Sequence, residues 1–148
     1  MSKEILEQFR SDIAEVERFA STFALTMDKQ PSDGGWTASQ CLAHIADAEI
    51  SLALRLRMML TSDEYRFISW DEDAFAVIKL DREPRISVDS FNSLRKGNLE
   101  ILESLDSVKL NRTGVRPNGE KITVIDYVAM MSRHVRAHLE QAASAAQG

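Results

Sequence analysis

Thr123-Val124-Ile125-Asp126-Tyr127-Val128-Ala129-Met130-Met131-Ser132-Arg133-His134-Val135-Arg136-Ala137-His138-Leu139-Glu140-Gln141-Ala142 is the stretch from which the architecture is read. Within it Val124, Val128, Met131, Val135, His138 and Ala142 follow one another at steps of 4, 3, 4, 3 and 4. That spacing lays a single apolar stripe along an α-helix, predicted here over about Thr123 to Ala145. A helix of this kind is stable only when its stripe is covered, so the rest of the chain is searched for partners.

Three further stretches answer. Ile5, Phe9, Ile13, Val16, Phe19 (or Ala20) and Phe23 recur at helical steps and predict one long helix from the start to about Met27. Pro31-Ser32-Asp33-Gly34-Gly35 joins a fixed-φ residue to two glycines and reads as a loop. A second helix is expected to open at Thr37 or Ser39, with a hydroxyl as N-cap, and to run to about Thr61. Its stripe is Cys41, Ile45, Ala48, Leu52, Leu56 and Met59, with Arg55 and Arg57 on a flanking face expected to be solvated. From Ser62 to Pro84 the pattern weakens to a loop and a short helix. A third long helix is then expected from a start signal at Ser87 or Val88-Asp89, with Phe91, Leu94, Leu99 (or Asn98), Ile101/Leu102 and Leu105 facing inward. Asn111 to Lys121, carrying Gly114, Pro117 and Asn118-Gly119, reads as an irregular turn or a small hairpin. Four long helices in one domain spanning residues 1–148 predict an all-α four-helix bundle with a short extra helix between its second and third members.

Composition narrows the chemistry. Lys+Arg 18 against Asp+Glu 23 leaves a net charge of −5, which does not supply the basic footprint of a nucleic-acid binder. The charges among the first residues interrupt any signal-peptide core, and Leu52 to Leu60 is broken by Arg55 and Arg57, far short of the roughly 20 residues of a membrane span. A protein without membrane contact, in the cytoplasm, is expected. One cysteine, Cys41, excludes an internal disulfide or a multi-cysteine zinc site. With 3 His in the chain, metal chemistry has to use them together with carboxylates.

Their positions suit that use. His134 and His138 stand one turn apart on one face of the last helix, and His138 lies on its apolar stripe. His44 sits beside the inward stripe of the second helix, so all three converge if those helices are neighbours. Three neutral imidazoles make a site for a divalent ion with an open position, and the ligand set alone does not select among Zn, Ni, Fe, Co and Cu. The glutamate of H-E-x-x-H is absent, and with it the general base of a zinc protease. Asp47 shares the face of His44 and is a candidate to orient an imidazole or act as base; a surface carboxylate or a helix-helix ion pair is its alternative. Cys41, one turn before His44, is either a small core hydrophobe or a neighbour of the ion. Trp36, Trp70 and Tyr127 are candidates for a pocket mouth or for core caps, and Arg112 and Arg116 for an anionic cosubstrate or for solvated loop positions.

The segments Trp36-Thr37-Ala38-Ser39-Gln40-Cys41-Leu42-Ala43-His44-Ile45-Ala46-Asp47-Ala48-Glu49, Trp70-Asp71-Glu72-Asp73 and Asn118-Gly119-Glu120-Lys121-Ile122-Thr123-Val124, leading into His134-Val135-Arg136-Ala137-His138-Leu139-Glu140-Gln141, resemble the DinB-like superfamily, the DinB/YfiT-like metalloenzymes, in order and spacing. The resemblance covers nearly the whole chain. It implies an up-down-down-up bundle, often a homodimer, with a divalent metal, commonly zinc or nickel, on His44, His134 and His138. It also implies a choice of activities on small molecules: transfer or isomerisation with a low-molecular-weight thiol as cosubstrate, expected first, or metal-dependent hydrolysis of the YfiT type. A non-catalytic dimeric binding or structural protein that keeps a vestigial site is the reading of another class, and a small-ligand sensor a third. Fold and metal site transfer across such a resemblance more readily than reaction type.

Overall fold

The computed structural model describes residues 1–148. In chain order the elements are α1 (Ser2–Thr22), α2 (Ala38–Thr61), β1 (Tyr65–Arg66), α3 (Glu72–Ile78), α4 (Pro84–Glu103), α5 (Ser107–Leu110), β2 (Thr113–Val115), β3 (Lys121–Thr123) and α6 (Val124–Gln147). No helix is long and apolar enough to cross a membrane.

The long helices are α1, α2, α4 and α6, and their cross-contacts fix their directions. Arg10 pairs with Glu103 and Glu17 with Arg85, so α1 and α4 run antiparallel. Leu42 and Val88 share one core cluster while Leu56 and Leu102 share the other, so α2 and α4 run parallel. His44 faces His134, and Arg55 faces Tyr127 two turns earlier on α6, so α2 and α6 are antiparallel. The order is therefore up-down-down-up. Each helix packs on two neighbours, with α1 and α2 diagonal across the bundle. Two apolar clusters fill it, one around Phe9, Leu56, Met59 and Tyr127 and the other around Val16, Cys41, Phe91 and Val135.

Between the clusters lies a buried ionic layer. Arg95 of α4 donates from Nε and Nη2 to both oxygens of Glu49 at 2.9 and 3.0 Å, and from Nη1 to Asp12 and to the Phe9 carbonyl at 2.8 Å each. Its guanidinium carbon lies 3.5 Å from the centre of the Phe9 ring. Arginine in an amphipathic pattern marks the polar face, so the inward stripe that the sequence predicts for this helix omits Arg95.

Local chemistry sets the boundaries, and several differ from expectation. Helix α1 stops at Thr22, short of Met27, because the chain turns inward there: Met27 is buried, its carbonyl accepts from the Ser39 amide, and Asp28 accepts from the Ser39 hydroxyl at 2.9 Å. Helix α2 opens on a full capping box, Thr37 Oγ1 accepting from the Gln40 amide while Gln40 Oε1 accepts from the Thr37 amide. Helix α4 begins at Pro84, three residues ahead of Ser87, since proline is preorganised for the first helical position. The expected turn or hairpin is β2 paired antiparallel to β3, and β1 joins it in parallel to make a small three-stranded sheet under one end of the bundle. Arg55 and Arg57 are not merely solvated. Arg55 donates to the Ile68 carbonyl at 2.9 Å and lies over the Phe67 ring, and Arg57 donates to Asn98 at 2.9 Å.

Because α2 and α4 are parallel, the chain from 62 to 83 must climb back along the bundle before α4 can start. It does so along α2, passing Ile68 by Arg55, Arg82 by Asp47 and Leu80 by Gln40. This return segment carries Trp70 and α3 to the histidine-bearing half of α2.

Candidate metal centre

Antiparallel packing of α2 on α6 brings His44 to His134 and His138. One nitrogen of each ring can be chosen so that all three lie within 4.8 Å of one another. The Nε2 atoms of His44 and His134 are 3.1 Å apart, and the ring centres of His44 and His138 4.3 Å. His138 Nδ1 lies 2.9 Å from Gln141 Oε1, an arrangement that keeps the proton on Nδ1 and leaves the Nε2 lone pair for the cluster. His134 Nδ1 is buried with no hydrogen-bond partner.

Electrostatics keep His44 and His134 unprotonated. Burial, reinforced by the neighbouring His138, lowers His44 to about 4 against the pull of Asp47. Burial again, then His138 and His44, lower His134 to about 3. At neutral pH His44 and His134 are therefore neutral imidazoles, each with one ring nitrogen able to bind an ion. A tetrahedral ion with nitrogens at 2.0–2.1 Å sets its ligands about 3.3 Å apart, close to the His44–His134 spacing, so the donor set fits a divalent ion.

Around the cluster, Trp36 lies 5.1 Å from His44 and 6.4 Å from His138, centre to centre, and Trp70 stacks at 5.9 Å on His44. These two rings flank the cluster. Tyr127 does not: it is buried in the Phe9 cluster, with its hydroxyl 3.4 Å from Arg55 Nη1. Cys41 is fully buried in the other cluster, its thiol pushed up to about 11 by burial alone, which makes it a core hydrophobe. Asp47 stands one turn past His44, but both its oxygens accept from Arg82 at 2.9 Å. Glu72, at the start of α3, brings Oε2 to 4.0 Å from His44 Nε2 and is half exposed.

Arg112 is committed elsewhere. It donates to the Met59 and Ser62 carbonyls and closes the C-terminal end of α2, the role that orphan carbonyls there require. Arg116 pairs with Glu120 beside the sheet. Residues the sequence reading gave no role are Gln141, Glu72 and Arg82. Gln141 was legible as the i+3 neighbour of His138, Glu72 sits inside a quoted motif, and Arg82 reaches Asp47 from 35 residues away with no local signal.

The chain is similar to proteins of known sequence and to one of known structure. Relatives that carry the name "Putative metal-dependent hydrolase" include one from Oceanobacillus iheyensis, 23% identical over 91% of this chain and 82% of its own length. Another, from Bacillus pumilus, is 26% identical over 93% of this chain and 83% of its own. The structure of YfiT from Bacillus subtilis, described as a probable metal-dependent hydrolase with an unusual four-helix bundle topology, superposes with a TM-score of 0.90 at 20% identity. It covers 99% of this chain and 86% of that one, and establishes the fold. The profile of the DinB superfamily matches residues 5–142, so the chain belongs to the DinB superfamily.

Proposed function

We propose that the protein is a metal-dependent enzyme that hydrolyses a small-molecule ester or amide, with His44, His134 and His138 as the ligands of one divalent ion. The observation that carries the reading is the convergence of three imidazole nitrogens within 4.8 Å at the junction of α2 and α6. The names of the relatives support hydrolysis over other uses of such a site. When bound, the ion supplies a nucleophile at neutral pH by acidifying water.

The chain's own residues supply the rest. Gln141 holds His138 with Nε2 toward the ligand position. Arg82 bonds both oxygens of Asp47 and the Phe75 carbonyl of α3, so Asp47 steadies the wall beside His44. Glu72 is the unengaged carboxylate beside the cluster. With an ion held by the three histidines, Glu72 Oε2 would take the proton of the attacking water as its oxygen bonds to the substrate carbonyl carbon, and would return that proton to the leaving oxygen or nitrogen as the C–O or C–N bond breaks. Trp36 and Trp70 restrict water to the reacting face. Zinc or nickel as the ion, and a homodimer as the assembly, belong to the same proposal through the family resemblance. So does a low-molecular-weight thiol in place of water, and nothing in the geometry favours it over hydrolysis.

Metal analysis of tag-free protein is the first measurement. About one equivalent of a divalent ion, lost in His44→Ala, is expected; less than about a tenth of an equivalent, unchanged by that substitution, removes the proposal. Loaded protein is then assayed against p-nitrophenyl esters and anilides, and separately with low-molecular-weight thiols and an electrophilic acceptor. Hydrolysis reduced at least about a hundredfold in Glu72→Gln, with the ion retained, is the expected outcome.

A further inference from the structure

We infer that the groove enclosed by α2, β1 and α3 is the subsite for an uncharged, apolar portion of the substrate, an aryl ring or a short alkyl chain. The inference rests on reading the histidine cluster as a hydrolytic metal centre. The groove has a volume of about 200 Å³ and is lined by Ile50 and Leu54 of α2, Tyr65 of β1, Ile68 and Trp70 of the return segment, and Phe75 of α3. A dry apolar cavity of about 150 Å³ takes up benzene, so this one has room for a ring and little more.

Charge selects the occupant. Asp47 and Arg55 line the groove beside Ser51; both oxygens of Asp47 accept from Arg82, and Arg55 is turned onto the Ile68 carbonyl, the Tyr127 hydroxyl and the Phe67 ring. The surface left to a ligand is almost entirely side-chain carbon, against which burying a charge is costly. An apolar one would cover Ile50 and Leu54, each left 54% exposed.

Position ties the groove to the chemistry. Trp70 is the wall common to both, stacked on His44 on one side and 4.8 Å from Phe75 on the other. Asp47, Ile50 and Leu54 ascend α2 from His44, so at the helical rise the groove begins roughly 5 Å and is centred roughly 10 Å from that histidine. A substrate anchored at the near end of the groove presents its carbonyl to the cluster. A second copy of the chain is a poorer occupant, since a stable interface needs about 20–30 residues a side and the groove is walled by six apolar side chains.

Benzyl alcohol is the probe, titrated into protein labelled at its Ile and Leu methyl groups, in wild type, Leu54→Glu and His44→Ala. Saturable shifts are expected at Ile50, Leu54 and Ile68, weakened at least about tenfold by Leu54→Glu and preserved in His44→Ala. Because Leu54 is half exposed, Leu54→Glu should fold, and its circular dichroism and melting temperature verify this. On metal-loaded protein, kcat/KM for p-nitrophenyl esters should climb about three- to fourfold per methylene from acetate to butyrate, with the slope lost in Leu54→Glu. Methyl shifts that are absent, do not saturate or are indifferent to Leu54→Glu overturn the inference. So does a wild-type dimer that Leu54→Glu dissociates, which would mean that another copy covers the groove. Saturable binding at these methyls without turnover of any ester upholds the subsite and counts only against the hydrolytic reading.

Discussion

Arg95 is the residue on which the interior turns. It is fully buried, it ties α4 to α1 through Asp12 and to α2 through Glu49, and Asn98 adds a bond from Nδ2 to the same Glu49 at 3.0 Å. Two carboxylates face one guanidinium, so removing the cation leaves both acids buried and unpaired. Arg95→Met should cost roughly 3–5 kcal/mol, read as a drop in the urea midpoint. Adding Glu49→Gln and Asp12→Asn to that variant should recover part of the loss, because the uncompensated charges are then gone. Nothing in the local pattern distinguishes Arg95 from the solvated arginines around it. Its burial is decided by partners 46 and 83 residues away, which periodicity does not report. His44, His134 and His138 were legible for the opposite reason: each lies on or beside a stripe whose inward face the helical period already defines.

Among the elements, the four long helices and the β2–β3 hairpin were legible, and α5 and β1 were not. Thr37 with Gln40 and Thr123 with the Asp126 amide are caps that local spacing announces. β1 has two residues, too few to show an alternation, and it exists because β2 offers it an edge. That edge depends on Gly114. A Cβ there would stand 2.7 Å from the Phe67 ring and 3.1 Å from Met59 Cγ, inside the core under α2 and α6. Gly114→Ala should cost about 1–3 kcal/mol by overpacking, measured by thermal or urea unfolding. Gly97, exposed on α4 with open space around it, is the control: Gly97→Ala should stabilise by about 0.5–1 kcal/mol.

For the molecule as a whole, the histidine cluster makes metal-free stability depend on pH. His44 and His134 titrate at about 4 and about 3 when folded, against an ordinary 6.5 when unfolded. Below about pH 6.5 the unfolded chain takes up protons that the folded chain refuses, so acid favours unfolding. The loss is at most about 1.4 kcal/mol per pH unit for each histidine and continues until the folded pKa is reached. The melting temperature of chelator-treated protein should fall from pH 7 to pH 5, and His44→Ala should make the fall shallower. A midpoint that is flat or rises over that range contradicts the assignment of neutral, buried imidazoles. The bundle's direction order bears on the site in a further way. Had the helices alternated, a hairpin of a few residues would have joined the second long helix to the third, and the flank of α2 beyond His44 would have stood bare. Running those two helices the same way obliges some twenty residues to make the journey back, and that detour lays Trp70 and Glu72 against His44, with Phe75 behind Trp70. The wiring of the chain, rather than its packing, furnishes the outer wall of the histidine cluster, and shortening the detour would bare that cluster while sparing the four helices.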